Sequence, residues 1–291
     1  MHQSQLPTRQ LSRPVQVALL CAVALAVVAQ TSSAQVIFTA TGLNAAGIQG
    51  TVDNFRAALG PLNANVAGSF ATGRREINWD GVPDAFAAPN NLPAGFFNAN
   101  SPRGVVFSTP GTGFQVSANA ASGTPVNFGN IDPNYPQFFA PFSAQRMFTP
   151  IGSNITDVSF FVPGGATAAT TNAFGVVFSD VDVTGSTSLE FFDTSNFSLG
   201  VFLAAPSTGN LTFSFLGVQF GSRNVGRVRI TSGNKVLAAG NTSEDLVVMD
   251  DFIYGEPIAS AVPEPATWAL LAFGLTGIGI SRRRKSTAAN R

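Results

Sequence analysis

The 291-residue chain has charges on only 11% of its residues, but it contains 29 glycines, 18 prolines and 26 phenylalanines against two tyrosines and two tryptophans. Glycine and proline interrupt helices and set turns, and so many phenylalanines with so few charges exclude a disordered chain. Between positions 35 and 262 lie 15 acidic and nine basic residues. This mildly acidic balance argues against nucleic acid or another polyanion as a partner.

The N-terminus has the three parts of a secretory signal peptide. Arg9 and Arg13 precede an apolar run at 17–29, and Ser32 and Ala34 supply small residues two positions apart. The run of 13 residues is too short to cross about 30 Å of hydrocarbon comfortably. We therefore predict a signal peptide at 1–34, cleaved after Ala34, followed by one exported domain at 35–260.

The only cysteine, Cys21, and the only histidine, His2, fall inside this predicted signal peptide. Leu20 precedes Cys21 where a lipidation signal requires a small residue, so the lipoprotein interpretation is rejected. The exported part thus has no disulfide, and Ser-His-Asp catalysis, Cys-His catalysis, zinc sites built on His or Cys, and haem ligation through either are excluded from it.

The best helix candidate is the segment 51–59. Val52, Phe55 and Leu59 fall on one helical face, and Thr51 is placed to cap the N-terminus. The remainder of the first half is less regular, with extended segments predicted at 105–107, 114–117 and 158–162.

The segment 73–81 alternates between polar and apolar side chains. A polar row beside a tryptophan suits a polyhydroxylated ligand, because carboxylates, bidentate donors and an aromatic face orient a sugar. The alternative is a salt-bridged strand face with the tryptophan in the core. The predicted ligand-binding residues are Arg74, Glu76, Asn78, Trp79 and Asp80.

From position 173 onward, short apolar segments rich in β-favouring residues alternate with turn signals. This rhythm is typical of a β-sandwich or jelly roll. In the segment 225–230, Val228 and Ile230 are predicted to point inward, with Arg227 and Arg229 outward. The predicted strands are 174–178, 188–192, 199–203, 211–220, 225–230 and 246–254.

Two aspartate pairs follow or interrupt these strands. Asp180 and Asp182 share one face after a buried strand, and two such carboxylates suit Ca²⁺; the alternative is that they cap a turn. Asp250 and Asp251 lie within an apolar strand, so at least one of them must be partly buried and needs a partner. We predict either a structural pair bonded to Arg227 or Arg229, or a calcium ion shared by Asp180, Asp182, Asp250 and Asp251.

The C-terminus has a tripartite order. The sequence Pro263-Glu264-Pro265 precedes 15 uncharged residues at 266–280, and a basic cluster follows. A helix of that length rises about 22 Å, a marginal membrane span, and the positive-inside rule keeps the basic end cytoplasmic. The alternative is a permanent tail anchor. The predicted cytoplasmic basic residues are Arg282, Arg283, Arg284 and Lys285.

Positions 262–286 resemble the PEP-CTERM sorting signal, in which such a motif, a transmembrane helix and a basic tail are read by an exosortase-type membrane peptidase. The resemblance implies that Pro263, Glu264 and Pro265 are recognition residues for that enzyme. It also implies inner-membrane anchoring through the helix, then a cell-surface or extracellular location after processing, and an association with exopolysaccharide.

The sequence therefore predicts an all-β, single-sandwich exported domain between a signal peptide and a C-terminal transmembrane helix. We expect a non-enzymatic structural or exopolysaccharide-associated binding module. The alternatives are a secreted carbohydrate-active hydrolase that uses paired carboxylates and a calcium-stabilised adhesive module.

Overall fold

The computed structural model describes residues 34–243 and 245–260, and its regular elements run from Gln35 to Ala259. They are, in chain order, β1 (Gln35–Gly42), α1 (Ala45–Leu59), β2 (Arg74–Ile77), α2 (Phe96–Ala99), β3 (Val105–Ser108), β4 (Gly113–Val116), β5 (Phe148–Ile151), β6 (Ile155–Phe160), β7 (Ala169–Thr170), β8 (Ala173–Ser179), β9 (Ser188–Phe192), β10 (Ser198–Leu203), β11 (Phe213–Phe220), β12 (Arg227–Thr231), β13 (Val248–Gly255) and β14 (Ile258–Ala259).

Most strands belong to two antiparallel sheets. The larger sheet has the order β1-β11-β8-β13-β5-β4, with β2 also paired to β13, and the smaller has the order β10-β9-β12-β6-β3. A short β7–β14 ladder lies apart from both. The mostly β, sandwich-like architecture confirms the all-β part of the predicted fold class, and every predicted strand of the second half overlaps an observed one.

The core between the sheets is built largely from phenylalanine. Alternate residues of β8, including Phe174 and Phe178, join side chains of β3, β6, β9 and β12 in one buried cluster. Phe107 of the smaller sheet lies 5.2 Å from Phe148 of the larger, measured between ring centroids. Burial of these rings is the main stabilising term in a domain that has no cysteine to cross-link it.

Helix α1 covers the opposite face of the larger sheet. Its apolar stripe, which includes Val52 and Phe55, is fully buried against β8, β11 and β13. Gly175 makes this close approach possible, because an added Cβ would lie 2.7 Å from the Phe55 ring. The helix starts six residues before the predicted Thr51, and Asn44 caps it by accepting a hydrogen bond from the Gly47 amide at 3.2 Å.

The side chains of strand β12 alternate between inward and outward as predicted. Val228 and Ile230 are fully buried, whereas Arg227 and Arg229 point outward. Both arginines bond the carboxylate of Asp157 on the neighbouring strand β6. They therefore do not reach Asp250 or Asp251, which lie in the other sheet, and their predicted pairing with that aspartate pair is wrong.

A fully buried ion pair holds the end of β13 to β2. The Arg75 guanidinium donates to both carboxylate oxygens of Glu256, at 2.7 and 2.8 Å, and neither side chain is exposed. The remaining guanidinium hydrogens reach the carbonyls of Ala64, Gly68 and Pro102. Because the guanidinium hydrogens all find acceptors, the attraction and the hydrogen bonds of this pair can offset the desolvation penalty of its two buried charges.

The predicted signal peptide, apart from Ala34, and the predicted C-terminal helix, basic tail and sorting motif lie outside the described residues. Within residues 34–243 and 245–260, no helix has the length and apolar character needed to cross a bilayer.

Candidate functional site

A polar cleft of about 320 Å³ opens where helix α1, strand β2 and strand β13 meet. Arg56 reaches it from α1, Glu76 from β2 and Asp251 from β13. At this point the pairing of β13 with β8 slips between Met249 and Phe252, so both aspartates fall within an irregularity of the strand. The residues that line the polar cleft are Arg56, Leu62, Asn65, Glu76, Asn78, Arg103, Ser143 and Asp251.

Arg56 connects the two carboxylates of the polar cleft. One of its terminal nitrogens, Nη2, lies 3.0 Å from Glu76 Oε2 and 2.9 Å from Asp251 Oδ2. Arg74 adds a second cation, with its Nε 2.6 Å from Glu76 Oε1. Burial opposes the charge of Arg56, but the hydrogen bond and the negative charge of Glu76 outweigh it, so the pKa of Arg56 is raised.

The aspartate pair of β13 is buried more completely than the sequence predicted, since Asp250 is 0% and Asp251 2% exposed. Asp250 Oδ2 accepts from the amides of Phe142 and Ser143, at 2.6 and 3.2 Å. Asp251 Oδ1 lies 2.7 Å from the Ser143 hydroxyl. Burial raises the pKa of both carboxyls, with the charge of Asp251 adding to the effect on Asp250. Arg56 is thus the counter-charge that the pair requires.

The residues predicted to bind a ligand lie partly at the polar cleft and partly away from it. Glu76 and Asn78 line the polar cleft, and Arg74 lies beside it, bonded to Glu76. Asp80 turns to a loop, where its Oδ1 accepts from the amides of Gln145 and Arg146. Trp79 is 1% exposed, so its ring face is not open to a sugar, as in the alternative with the tryptophan in the core.

Trp79 packs in the core, beneath the part of β13 that lines the polar cleft. Its ring stacks on Phe148 at a centroid distance of 4.2 Å, and its Nε1 donates to the Asp250 carbonyl at 2.9 Å. Phe97 and Phe252 pack against it edge-on. The tryptophan therefore positions the backbone of β13 where the aspartate pair lies.

A second cavity, of about 380 Å³, adjoins the polar cleft and shares Asn78 and Arg103 with it. We call it the aromatic cavity. The Arg103 guanidinium carbon lies 5.1 Å from the centre of the Phe97 ring, and burial lowers the pKa of this arginine. Sequence reasoning missed this cavity because its residues follow no helical or strand periodicity. It is lined by Asn78, Trp79, Gly81, Val82, Pro83, Phe86, Phe96, Phe97, Asn100, Ser101 and Arg103.

The structure does not form the calcium site predicted for the two aspartate pairs. In the antiparallel pairing of β13 with β8, Val248 lies opposite Ser179. Asp180 lies one residue beyond this pair in one direction and Asp250 two residues beyond it in the other, so they are about 10 Å apart along the strands at a rise of about 3.3 Å per residue. Asp182 instead meets Asp245, whose Oδ1 accepts from the Asp182 amide at 2.8 Å. No group of three or more histidine, cysteine or acidic residues within the described residues is arranged to hold a metal ion.

Asp180 is nevertheless an unusual carboxyl. It is 6% exposed, and its Oδ1 has no hydrogen-bond partner among the described residues. Burial, followed by the negative charges of Asp182 and Asp245, raises the pKa of Asp180 to about 8. The folded protein therefore favours the protonated, neutral form of this side chain at neutral pH.

Comparisons with known proteins identify the C-terminus. Residues 261–285 match the model of the PEP-CTERM protein-sorting motif, which confirms the predicted sorting signal. The motif identifies an exported protein that is sorted by an exosortase-type enzyme. Neither the curated proteins nor the solved structures contain a significant match to this chain.

Proposed function

We propose that the exported sandwich is a non-enzymatic module that binds a polysaccharide of the producing cell's own matrix, and that the polar cleft and the aromatic cavity form its binding site. One observation carries the proposal. Asn78 and Arg103 line both cavities, so charged and amide side chains lie directly beside a cavity whose wall includes the partly exposed ring of Phe86.

This combination matches what a saccharide requires. Sugar hydroxyls need donors and acceptors at fixed positions, and the apolar ring faces need aromatic or aliphatic contact. Each cavity falls within the range of about 300–1,000 Å³ that is usual for ligand sites. The arginine–carboxylate network holds its side chains in one arrangement before a ligand arrives, which lowers the ordering cost of binding.

The same network disfavours the hydrolase alternative. A glycosidase holds two carboxyl groups about 5–9.5 Å apart and places the sugar between them. Here the space between Glu76 and Asp251 is occupied by Arg56, whose Nη2 lies 3.0 and 2.9 Å from their carboxylate oxygens. We therefore propose binding without bond cleavage at this site.

The test is the affinity of the processed protein, purified from its host, for polysaccharide extracted from the same cells. Asn78 is exposed and lines both cavities, so we expect Asn78→Ala to weaken binding by about ten-fold, in line with the loss of one or two hydrogen bonds. Asn54→Ala is the matched control, because Asn54 is exposed on α1 and lines neither cavity.

Equal binding by wild type, Asn78→Ala and Asn54→Ala would show that the polar cleft is not the binding site. Reducing-sugar release from the same polysaccharide separates binding from hydrolysis. We expect none; release that disappears in Glu76→Gln would establish the hydrolase instead.

A further inference from the structure

The edge strands on one side of the sandwich are covered by a loop, whereas the outer edge of strand β1 on the other side is not covered by any of the described residues. On one side, the loop 88–94 covers both edge strands. Ala88 and Leu92 donate backbone hydrogen bonds to carbonyls of β4, at 2.7 and 2.8 Å, and the Ala94 carbonyl accepts from Phe107 of β3 at 3.0 Å. Three outward backbone groups of these two edge strands are therefore satisfied within the molecule.

Strand β1, at the opposite edge of the larger sheet, has no such cover from residues 34–243 and 245–260. It pairs with β11 through all eight of its residues without a slip in register. Along its other edge, the described residues provide no backbone hydrogen bond; at the end of the strand, the Ser207 hydroxyl donates to the Gly42 carbonyl at 3.5 Å. Helix α1 packs on one face of β1, with Phe55 5.2 Å from Phe38, and leaves the edge open.

The open edge also lacks the usual protective features. Soluble proteins interrupt exposed edge strands with charges, prolines or bulges, because a free edge recruits another strand. The side chains of β1, in the sequence QVIFTATG, carry no charge and include no proline, and Val36 and Ile37 are 51% and 53% exposed. The edge strand β10 of the smaller sheet, in contrast, has a slip in register between Ser198 and Gly200.

We propose that β1 pairs antiparallel with β1 of a second copy of this chain, so that the two larger sheets become continuous across a two-fold axis. An antiparallel edge is self-complementary, since identical strands related by a two-fold axis satisfy each other's donors and acceptors. The prediction that the signal peptide is cleaved after Ala34 supports this choice of occupant. Cleavage there makes Gln35, the first residue of β1, the first residue of the exported chain, so no upstream segment is left to cover the edge.

The absence of cysteine after position 21 allows a direct test on the processed protein purified from its host. Ile37→Cys, Thr39→Cys and Thr41→Cys place single thiols along one face of β1, and Val201→Cys places one on β10. Under mild oxidation we expect disulfide-linked dimers from the β1 series and none from Val201→Cys. Because the two-fold axis can pass through an odd or an even position of β1, the three variants are also oxidised as pairwise mixtures, and the absence of cross-linked dimers from every variant and every mixture would overturn the proposal.

Sedimentation across a dilution series provides the second measurement. We expect wild type and Val201→Lys to form a dimer that dissociates on dilution, and Ile37→Lys to remain a monomer. Both substituted side chains are more than half exposed, so unchanged thermal unfolding of each variant confirms that the fold is retained. A wild type that is monomeric at every concentration, or a dimer that Ile37→Lys leaves intact, contradicts the proposal.

Discussion

Replacing Asp180 with asparagine should stabilise the protein, and the gain should depend on pH. The carboxyl is buried and one of its oxygens lacks a partner among the described residues, and its pKa is raised to about 8. In the unfolded chain the pKa of the same group is about 3.9. Asparagine has nearly the same shape, carries no charge at any pH and tolerates the left-handed backbone at this position, where φ is 73°.

The magnitude follows from proton linkage. A carboxyl whose pKa is higher in the folded state makes the protein most stable below the unfolded pKa and progressively less stable as the pH rises toward the folded pKa. Between these two pKa values, the free energy of unfolding falls by about 1.4 kcal/mol per pH unit, so the ionisable side chain lowers it by about 4 kcal/mol at pH 7. The stability difference between Asp180→Asn and wild type should therefore be small at pH 4, grow to about this size at pH 7 and level off above pH 8.

Urea unfolding of both proteins from pH 4 to pH 9 measures this difference directly, and subtraction removes the titration of all other groups. Asp182→Asn serves as the control, because it removes a neighbouring charge and leaves the Asp180 carboxyl in place. It should reduce the pH dependence without abolishing it. A stability difference between Asp180→Asn and wild type that is constant over the whole range would contradict a raised pKa for Asp180.

Two further predictions concern the fold. Arg75→Met should lower the free energy of unfolding by about 3–5 kcal/mol, because it leaves the fully buried Glu256 carboxylate without its counter-charge; a loss below about 1 kcal/mol in urea unfolding would contradict this. Asn44→Ala should cost about 1 kcal/mol by removing the cap of α1, whereas Thr51→Ala, inside the helix, should cost less. Equal losses in thermal unfolding of these two variants would show that the cap is not where the structure places it.

The strands of the second half were predictable because each is a short apolar segment between turn residues. The start of α1 was not, because Gly47 and Gly50 weaken the helical pattern before Thr51, and Asn44 is recognised as a cap only once the helix is extended to Ala45. Strand β1 was missed for a related reason. Its side chains are mostly exposed, so its sequence lacks the buried alternation that marks a strand.

The polar cleft was predictable in part. Alternation identified Glu76 and Asn78 as neighbours, but their meeting with Asp251 depends on Arg56, which lies 195 positions away from that aspartate in the sequence. The slip in β13 that brings both aspartates into the interior has no sequence signature. The prediction of a shared calcium site was wrong because the antiparallel register that separates Asp180 from Asp250 is a property of the assembled sheet and is not visible in the sequence.

The sorting motif at 261–285 marks an exported and sorted chain, and we predict in addition that its N-terminus is cleaved after Ala34. Mass spectrometry of the protein recovered from its own cells tests both statements. We expect a first residue of Gln35 and a chain without the basic cluster at 282–285, in the envelope or extracellular fraction. A full-length chain with both termini intact in the cytosolic fraction would contradict it.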